Sequence, residues 1–172
     1  PQVACLAVAV GPATGRFAGE LPPGAVPVVD PPGLAGPLAG FAAGLAWLAR
    51  TAPGEEAALL VVPVDMPFLP ADLASRLGSV SPAAPVAVAR SGAGVSPVVA
   101  LVHPAVRAAL DGLLAADPAP AVRRLLAAVP VRVADVAADP ALAARGVDPL
   151  FNVNTPDDLA FAEAVLRSDG PA

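Results

Sequence analysis

The stretch AALLVVPVDMPFLPAD, residues Ala57–Asp72, decides the fold class. Its first eight residues form an apolar run that leads to Asp65, and Pro67 and Pro70 then turn the chain towards a short helical pattern. Continuous apolar runs of this length are typical of strands that are buried on both faces, as in parallel or mixed sheets. Asp65 therefore stands at the carboxyl end of a strand, which is where open α/β sheets bind their ligands.

Similar apolar runs alternate with helical patterns along the rest of the chain. The predicted strands are Ala4–Val10, Ala25–Val29, Ala57–Val64, Pro85–Ala89, Pro97–Val102 and Val129–Val136. The predicted helices are Pro37–Arg50, Ala71–Leu77, Ala105–Ala115, Ala119–Ala128 and Pro156–Arg167. This alternation predicts a layered α/β sheet, and the length of 172 residues predicts a single domain.

Composition excludes several classes of function. The net charge is −5, with ten arginines, no lysine and no basic stripe, which argues against nucleic-acid binding. The longest apolar stretch, Gly36–Ala49, is shorter than the roughly 20 residues of a membrane span. One Cys and one His exclude an internal disulfide and a Cys-rich zinc site. No signal peptide is visible, so a cytoplasmic location is predicted.

Asp65 is a candidate metal ligand. A single carboxylate at a strand end can hold Mg²⁺ together with substrate phosphates, because Mg²⁺ commonly takes only one or two protein ligands. The same residue would also serve as a turn residue that accepts a backbone N–H. Spacing alone leaves both interpretations open.

The stretch VPVVDPPGLAGPLAGFAAG covers residues Val26–Gly44. In it a second predicted strand ends at Asp30, and a helix is predicted to begin near Pro37. Glycines in the intervening loop allow the backbone to approach a ligand closely, and a helix N-terminus attracts anions. Asp30 and Gly36 are therefore candidate ligand contacts. The small-residue spacing of Gly36, Gly40 and Gly44 also indicates close packing of the helix on the sheet.

The stretch FNVNTPDDL, residues Phe151–Leu159, contains both asparagines of the chain. Thr155 through Asp158 has the pattern of a helix N-cap. Asn152 and Asn154 alternate, which predicts two amides on one face of an extended segment, able to bind a ligand or a hydrated metal.

Four isolated residues favour structural roles. Cys5 is predicted to be buried and inert, and His103 a residue at a strand-to-helix junction. Arg123 and Arg124 are predicted on a solvated helix face, with a phosphate contact as the alternative.

Taken in order, these segments resemble the molybdenum cofactor guanylyltransferase family, whose members are MobA-like nucleotidyltransferases. The resemblance runs from about Ala4 to Leu166. It depends on an ordered set of motifs: a strand that ends in Asp, GPLAG at 36–40, DMPFLP at 65–70, SPVVALV at 96–102 and FNVNTPDDL at 151–159. The GPLAG segment favours the guanylyl branch over the cytidylyl branch.

The resemblance implies a three-layer, Rossmann-like nucleotidyltransferase fold with a mostly parallel sheet. It also implies transfer of GMP from Mg·GTP to the terminal phosphate of molybdopterin or molybdenum cofactor, with proteins that accept or insert the product as further partners. Implied site residues are Asp65 for magnesium and catalysis, Asp30, Gly36, Pro37 and Gly40 for the nucleotide, and Asn152 and Asn154 near the metal and pterin. Two alternatives stay open: a transferase that uses CTP or another acceptor, and a non-catalytic binding domain.

The sequence departs from the family at its beginning. The family starts with a strand and a glycine-rich loop, L-A-G-G-x-S-x-R-M-G-x-D-K, which cradles the triphosphate, and nothing here matches it. Either further residues precede Pro1 in the natural protein, or the chain is a diverged relative. The single domain over residues 1–172 is therefore expected to be incomplete at its N-terminus.

We predict that residues 1–172 alone show no guanylyl transfer and self-associate. The triphosphate would lack its loop and lysine, and strands such as Ala4–Val10 would expose unpaired apolar edges. Size-exclusion chromatography and a GMP-transfer assay measure both properties. A monomeric, cooperatively folded chain of these residues that turns over Mg·GTP would refute the prediction.

Overall fold

The computed structural model describes residues 2–11, 19–53 and 57–168, and within these ranges six strands and six helices form an α/β fold. The strands are β1 (Ala7–Ala9), β2 (Val26–Val28), β3 (Leu59–Val61), β4 (Val86–Ser91), β5 (Gly94–Val102) and β6 (Val131–Asp135). The helices are α1 (Pro37–Thr51), α2 (Leu73–Val80), α3 (Arg107–Ala116), α4 (Val122–Ala128), α5 (Pro140–Ala144) and α6 (Pro156–Ser168). The sequence predicts all of these except the short helix α5.

The described strands form two sheets. β1 and β2 pair in parallel, and the larger sheet has the order β3-β5-β4-β6. In the larger sheet β4 and β6 are parallel, while β5 runs antiparallel to both of its neighbours. The predicted α/β class is confirmed, but the sheet is divided into two, because no described strand lies between β1 and β3.

Alternate residues of β4 pack on opposite faces of the larger sheet. Val86 and Val88 contact a core that includes residues of α1, α3 and α4. Ala87 and Ala89 contact a second core, to which α2 contributes Leu73 and Leu77. The period of two in β4 therefore produces the three layers of the fold. None of the described helices is long and apolar enough to cross a membrane.

Helix α1 connects the two sheets. One of its faces places Phe41 in the core of the larger sheet, and another packs Trp47 with Val28 of the small sheet. A Cβ built on Gly40 would lie 3.7 Å from the Cβ of Ala9. One built on Gly44 would lie only 2.7 Å from a methyl carbon of Leu59. The small residues of α1 thus bring the helix close to β1 and β3.

These contacts also orient β1 along α1. Gly40, nearer the start of α1, faces Ala9 at the end of β1. Ala7, at the beginning of β1, packs on the cluster that contains Trp47 and Leu48, nearer the end of α1. β1 therefore runs opposite to α1, and β2, which is parallel to β1, has the same direction.

Substitution by alanine should separate the roles of Gly40 and Gly44. Gly40→Ala meets only ordinary contact, so the higher helix propensity of alanine should stabilise the protein by up to about 1 kcal/mol. Gly44→Ala should be less stable than Gly40→Ala, because its Cβ displaces the Leu59 side chain. Urea denaturation measures both variants. Equal gains in stability for the two would contradict the close approach at Gly44.

Candidate functional site

A cleft of about 900 Å³ lies between β1 and β3, with α1 along one side. Most of its lining is apolar, from both strands and from residues such as Phe41 and Trp47. Asp30, Asp65 and Asn152 also line it. The cleft therefore combines an apolar groove with three side chains that can bind polar ligands.

Three buried oxygen atoms in this cleft have no hydrogen-bond partner: Oδ1 of Asp30, of Asp65 and of Asn152. A buried polar atom without a partner is unfavourable, and in native proteins it commonly indicates a bound ion, water or ligand. The sequence assigns all three residues to ligand contacts, and the structure brings them to one cleft.

Asp30 is held by the loop that leads from β2 to α1. Two glycines of this loop, Gly33 and Gly36, have φ angles of 78° and 76°, which residues with a Cβ rarely adopt. The loop is fastened by a hydrogen bond of 3.0 Å from the Ala35 N–H to the Pro118 carbonyl. Its sharp turns place Asp30 and the start of α1 beside each other in the cleft lining.

The N-terminus of α1 is open towards ligands. Gly36 is its N-cap, Pro37 occupies the first turn, and no side chain caps this end. The first turn also has no acidic residue, and both Gly36 and Pro37 line the cleft. The positive end of the helix dipole is therefore available to an anion, as the sequence predicts.

The backbone joins Asp65 to the segment that carries Asn152. The Val153 N–H donates to the Asp65 carbonyl over 2.9 Å. Phe151 packs between two other rings, with centroids 5.8 Å from Phe68 and 5.2 Å from Phe161. This packing and the backbone bond keep Asn152 beside Asp65, so two residues far apart in sequence share the cleft wall.

The charges of the described cleft lining are all negative. Its only ionisable acids are Asp30 and Asp65, and neither arginine nor histidine lines it among the described residues. Burial raises the pKa of Asp30 above its ordinary value of 3.8. Two carboxylates repel a polyphosphate, so a cation bound beside them would favour an anionic ligand.

A hard divalent cation fits this donor set. Carboxylate and amide oxygens are the ligands that Mg²⁺ and Mn²⁺ prefer, and such ions often keep several waters. The described residues contain no cluster of three or more His, Cys, Asp or Glu side chains suited to a metal. The protein would therefore supply few ligands, with Asp65 and Asn152 as the neighbouring oxygen donors.

Asn154 does not share the cleft with Asn152. It is exposed, and its backbone N–H donates to Oδ2 of Asp158 over 3.0 Å. The Thr155 N–H donates to the same oxygen over 2.9 Å, and the Asp158 N–H donates to the Thr155 hydroxyl oxygen over 3.1 Å. These bonds form a capping box. The Thr155 side chain first, and then the backbone N–H groups of Asn154 and Thr155, lower the pKa of the Asp158 carboxyl by hydrogen bonding to it.

The structure also places the residues that were assigned structural roles. The prediction that Cys5 is buried is wrong, because the residue is exposed in the segment before β1. His103 lies at the junction after β5, and its Nδ1 accepts a hydrogen bond from the Ala105 N–H over 3.2 Å. Arg124 forms an exposed ion pair of 2.8 Å with Asp117.

Gln2 also lines the cleft, although no sequence pattern identifies it as a site residue. Its amide donates to the Pro70 carbonyl over 3.0 Å and accepts from the Ala74 N–H over 2.8 Å. It thereby joins the segment before β1 to the start of α2 and lines the cleft. A single glutamine in an irregular segment carries no periodicity, so only the tertiary structure reveals this contact.

Two solved structures share this fold. The chain resembles the crystal structure of molybdopterin-guanine dinucleotide biosynthesis protein A from Archaeoglobus fulgidus, with a TM-score of 0.63 and 20% identity over 83% of this chain and 69% of the other. It also resembles Rv0371c from Mycobacterium tuberculosis H37Rv in a complex with manganese, with a TM-score of 0.59 and 23% identity over 95% and 78% of the two chains.

Sequence comparisons identify the family of the chain. Residues 1–138 match the MobA-like NTP transferase domain, and the chain belongs to this family of nucleotidyltransferases. It is 40% identical over 148 residues to a protein named molybdenum cofactor guanylyltransferase from Rhodopseudomonas palustris (strain HaA2). That match covers 84% of this chain and 66% of the relative, so it spans about two thirds of the relative's length. The resemblance inferred from the motifs is confirmed.

Removing the capping hydroxyl should affect stability alone. Thr155→Ala deletes the acceptor of the Asp158 N–H, and we expect a loss of about 1 kcal/mol in the free energy of unfolding. Chemical denaturation measures it, and ligand binding by the folded fraction should not change. Asn154→Ala keeps the backbone bond and is the matched control. A loss of ligand binding in Thr155→Ala at full folding would show that the cap belongs to the site.

Asp30→Asn should stabilise the protein at neutral pH. Burial raises the pKa of Asp30, so ionisation of this group destabilises the folded state as the pH rises through the raised value. The gain of Asp30→Asn should be present at about pH 7 and absent at about pH 3, where the carboxyl is protonated in both states. Thermal unfolding at both values measures it. The same difference at both pH values would contradict the burial of an ionised Asp30.

Proposed function

We propose that the protein transfers GMP from GTP to molybdopterin in the presence of Mg²⁺ and so forms a guanine dinucleotide cofactor. The observation that carries the proposal is the set of three buried, unpartnered oxygens on Asp30, Asp65 and Asn152 in one cleft. Membership of the MobA-like family and the name of the Rhodopseudomonas palustris relative support the choice of reaction. The manganese complex of Rv0371c supports a divalent ion.

The reaction is a phosphoryl substitution. An oxygen of the terminal phosphate of molybdopterin forms a bond to the α-phosphorus of GTP, and the bond from this phosphorus to the oxygen bridging to the β-phosphate breaks. Pyrophosphate leaves with that electron pair, and GMP is now joined to the acceptor. Both substrates are anionic, so the chief tasks of the protein are to align them and to offset charge.

Asp65 is proposed as the principal protein ligand for the cation. It follows β3, its Oδ1 is buried without a partner, and its carbonyl is engaged by the Val153 N–H. The backbone bond fixes the residue, while the side chain stays available. A divalent ion bound there supplies positive charge to the phosphate oxygens, in a cleft whose described lining has no cationic side chain.

Asp30 and the segment from Gly36 to Gly40 are proposed on the nucleotide side. The uncapped N-terminus of α1 offers backbone N–H groups and the positive end of its dipole to phosphate. The Asp30 carboxylate can accept from guanine N1–H and N2–H₂ together, or from the ribose hydroxyls. Asn152, beside Asp65, would hold a hydrated metal ion or contact the pterin.

We also propose that both sheets form one domain, because α1 packs against each of them.

Asp65→Asn should weaken metal binding while the fold is kept. The change retains the shape of the side chain and removes its charge. We expect Mn²⁺ affinity, measured by electron paramagnetic resonance, to fall, and GMP transfer by the natural full-length protein to fall by on the order of 10²-fold or more. Asp157→Asn, an exposed change in the first turn of α6, is the control. Unchanged transfer by Asp65→Asn at low Mg²⁺ would remove Asp65 from this role.

Asp30→Ala tests how the nucleotide is recognised. If Asp30 accepts from the guanine edge, the variant should lose its preference for GTP over ATP and CTP. If it accepts from ribose, the affinities for all three nucleotides should fall alike. Fluorescence titrations with the three nucleotides measure this. Unchanged affinity and selectivity would show that Asp30 is a turn residue only.

A further inference from the structure

Asp148 joins the segment that carries Asn152 to a different part of the fold. Its Oδ2 accepts a hydrogen bond of 3.1 Å from the Ala93 N–H, at the turn between β4 and β5. Its Oδ1 accepts one of 2.7 Å from the Leu150 N–H. One carboxylate therefore links the tip of a hairpin to the chain just before Asn152.

The backbone continues this arrangement on both sides of Asn152. The Phe151 N–H donates to the Asp148 carbonyl over 3.1 Å, which closes a tight turn. The Val153 N–H donates to the Asp65 carbonyl over 2.9 Å. Asn152 thus lies in a short bridge that is fastened to the β4–β5 hairpin before it and to the Asp65 loop after it.

The side chain of Asp148 does not line the cleft among the described residues, whereas that of Asn152 does. Asp148 is therefore not a direct contact in the described lining, and we expect it to act on a ligand through the position of the bridge. The carboxylate suits this task because it offers one acceptor oxygen to each of two N–H donors. Asparagine would offer a single acceptor oxygen, and alanine would offer none.

We infer that Asp148 is a positioning residue that holds Asn152 against the cleft by tying its segment to the β4–β5 hairpin. The consequence for metal binding rests on the proposed function, because it assumes that Asn152 is a neighbour of the bound ion. The hydrogen bonds of Asp148 do not depend on that function. The Ser91 hydroxyl oxygen is a second, more distant acceptor for the Ala93 N–H, at 3.3 Å. The Ala93 N–H therefore keeps an acceptor when the Asp148 carboxylate is removed.

Amide hydrogen exchange measures how firmly the Asp148 carboxylate holds the segment around Asn152. In Asp148→Ala we expect the amides of Leu150 and Val153 to exchange faster than in the wild type, with a smaller change in Asp148→Asn. Mn²⁺ affinity, measured by electron paramagnetic resonance on the folded protein, should fall by about threefold to tenfold in Asp148→Ala, the change that one or two lost hydrogen bonds produce. The Mn²⁺ affinity of Asp148→Asn should lie between those of Asp148→Ala and the wild type.

Asp139→Ala is the matched control. Asp139, the exposed N-cap of α5, also accepts a hydrogen bond from a backbone N–H two residues ahead, that of Ala141, over 2.9 Å. Its loss should lower stability at α5 but leave the exchange of Val153 and the affinity for Mn²⁺ unchanged.

The outcomes separate the inference from the proposed function. If Asp148→Ala only lowers stability, as Asp139→Ala does, and leaves exchange at Leu150 and Val153 unchanged, the positioning role is wrong. If the wild type binds no Mn²⁺, the proposed metal site is wrong, and the exchange data alone test the positioning role of Asp148. If Asp148→Ala does not fold, the graded response of Asp148→Asn in both measurements decides instead.

Discussion

The close approach of α1 to two sheets is the constraint on which the site depends. A Cβ at Gly44 would lie 2.7 Å from Leu59, so that side chain would have to shift, whereas one at Gly40 would make only ordinary contact with Ala9. This packing holds α1 against a strand of each sheet. Asp30, Asp65 and the open N-terminus of the helix line the cleft beside it, although 35 positions separate the two carboxylates in the sequence.

The same cleft shows how a binding site opposes stability. Its lining is largely apolar, which favours burial, yet Asp30, Asp65 and Asn152 each keep a buried oxygen without a partner. Burial raises the pKa of Asp30, so ionisation of this carboxyl is less favourable in the free folded protein than in the unfolded chain. Such an arrangement is expected where binding free energy compensates for an unfavourable free state.

The order of the elements could be predicted from local patterns, because apolar runs, prolines and caps act over a few residues. The capping box at Thr155 and the strand end at Asp65 are examples. Alternation predicted one face for Asn152 and Asn154, but Asn154 is exposed, because its backbone belongs to the cap of α6. The exposure of Cys5 and the bonds of Asp148 depend on segments that are distant in sequence, which no local pattern encodes.

The division of the sheet has a consequence for cooperativity. The small sheet of β1 and β2 shares one apolar cluster with α1, formed around Val28, Trp47 and Leu48, while the larger sheet is packed on both faces. A unit with one packed face is coupled to the rest of the molecule chiefly through the surface it shares with α1, to which the hydrogen bonds of Gln2 add a second link. Its melting need not coincide with that of the larger sheet, and the van't Hoff enthalpy would then be smaller than the calorimetric enthalpy.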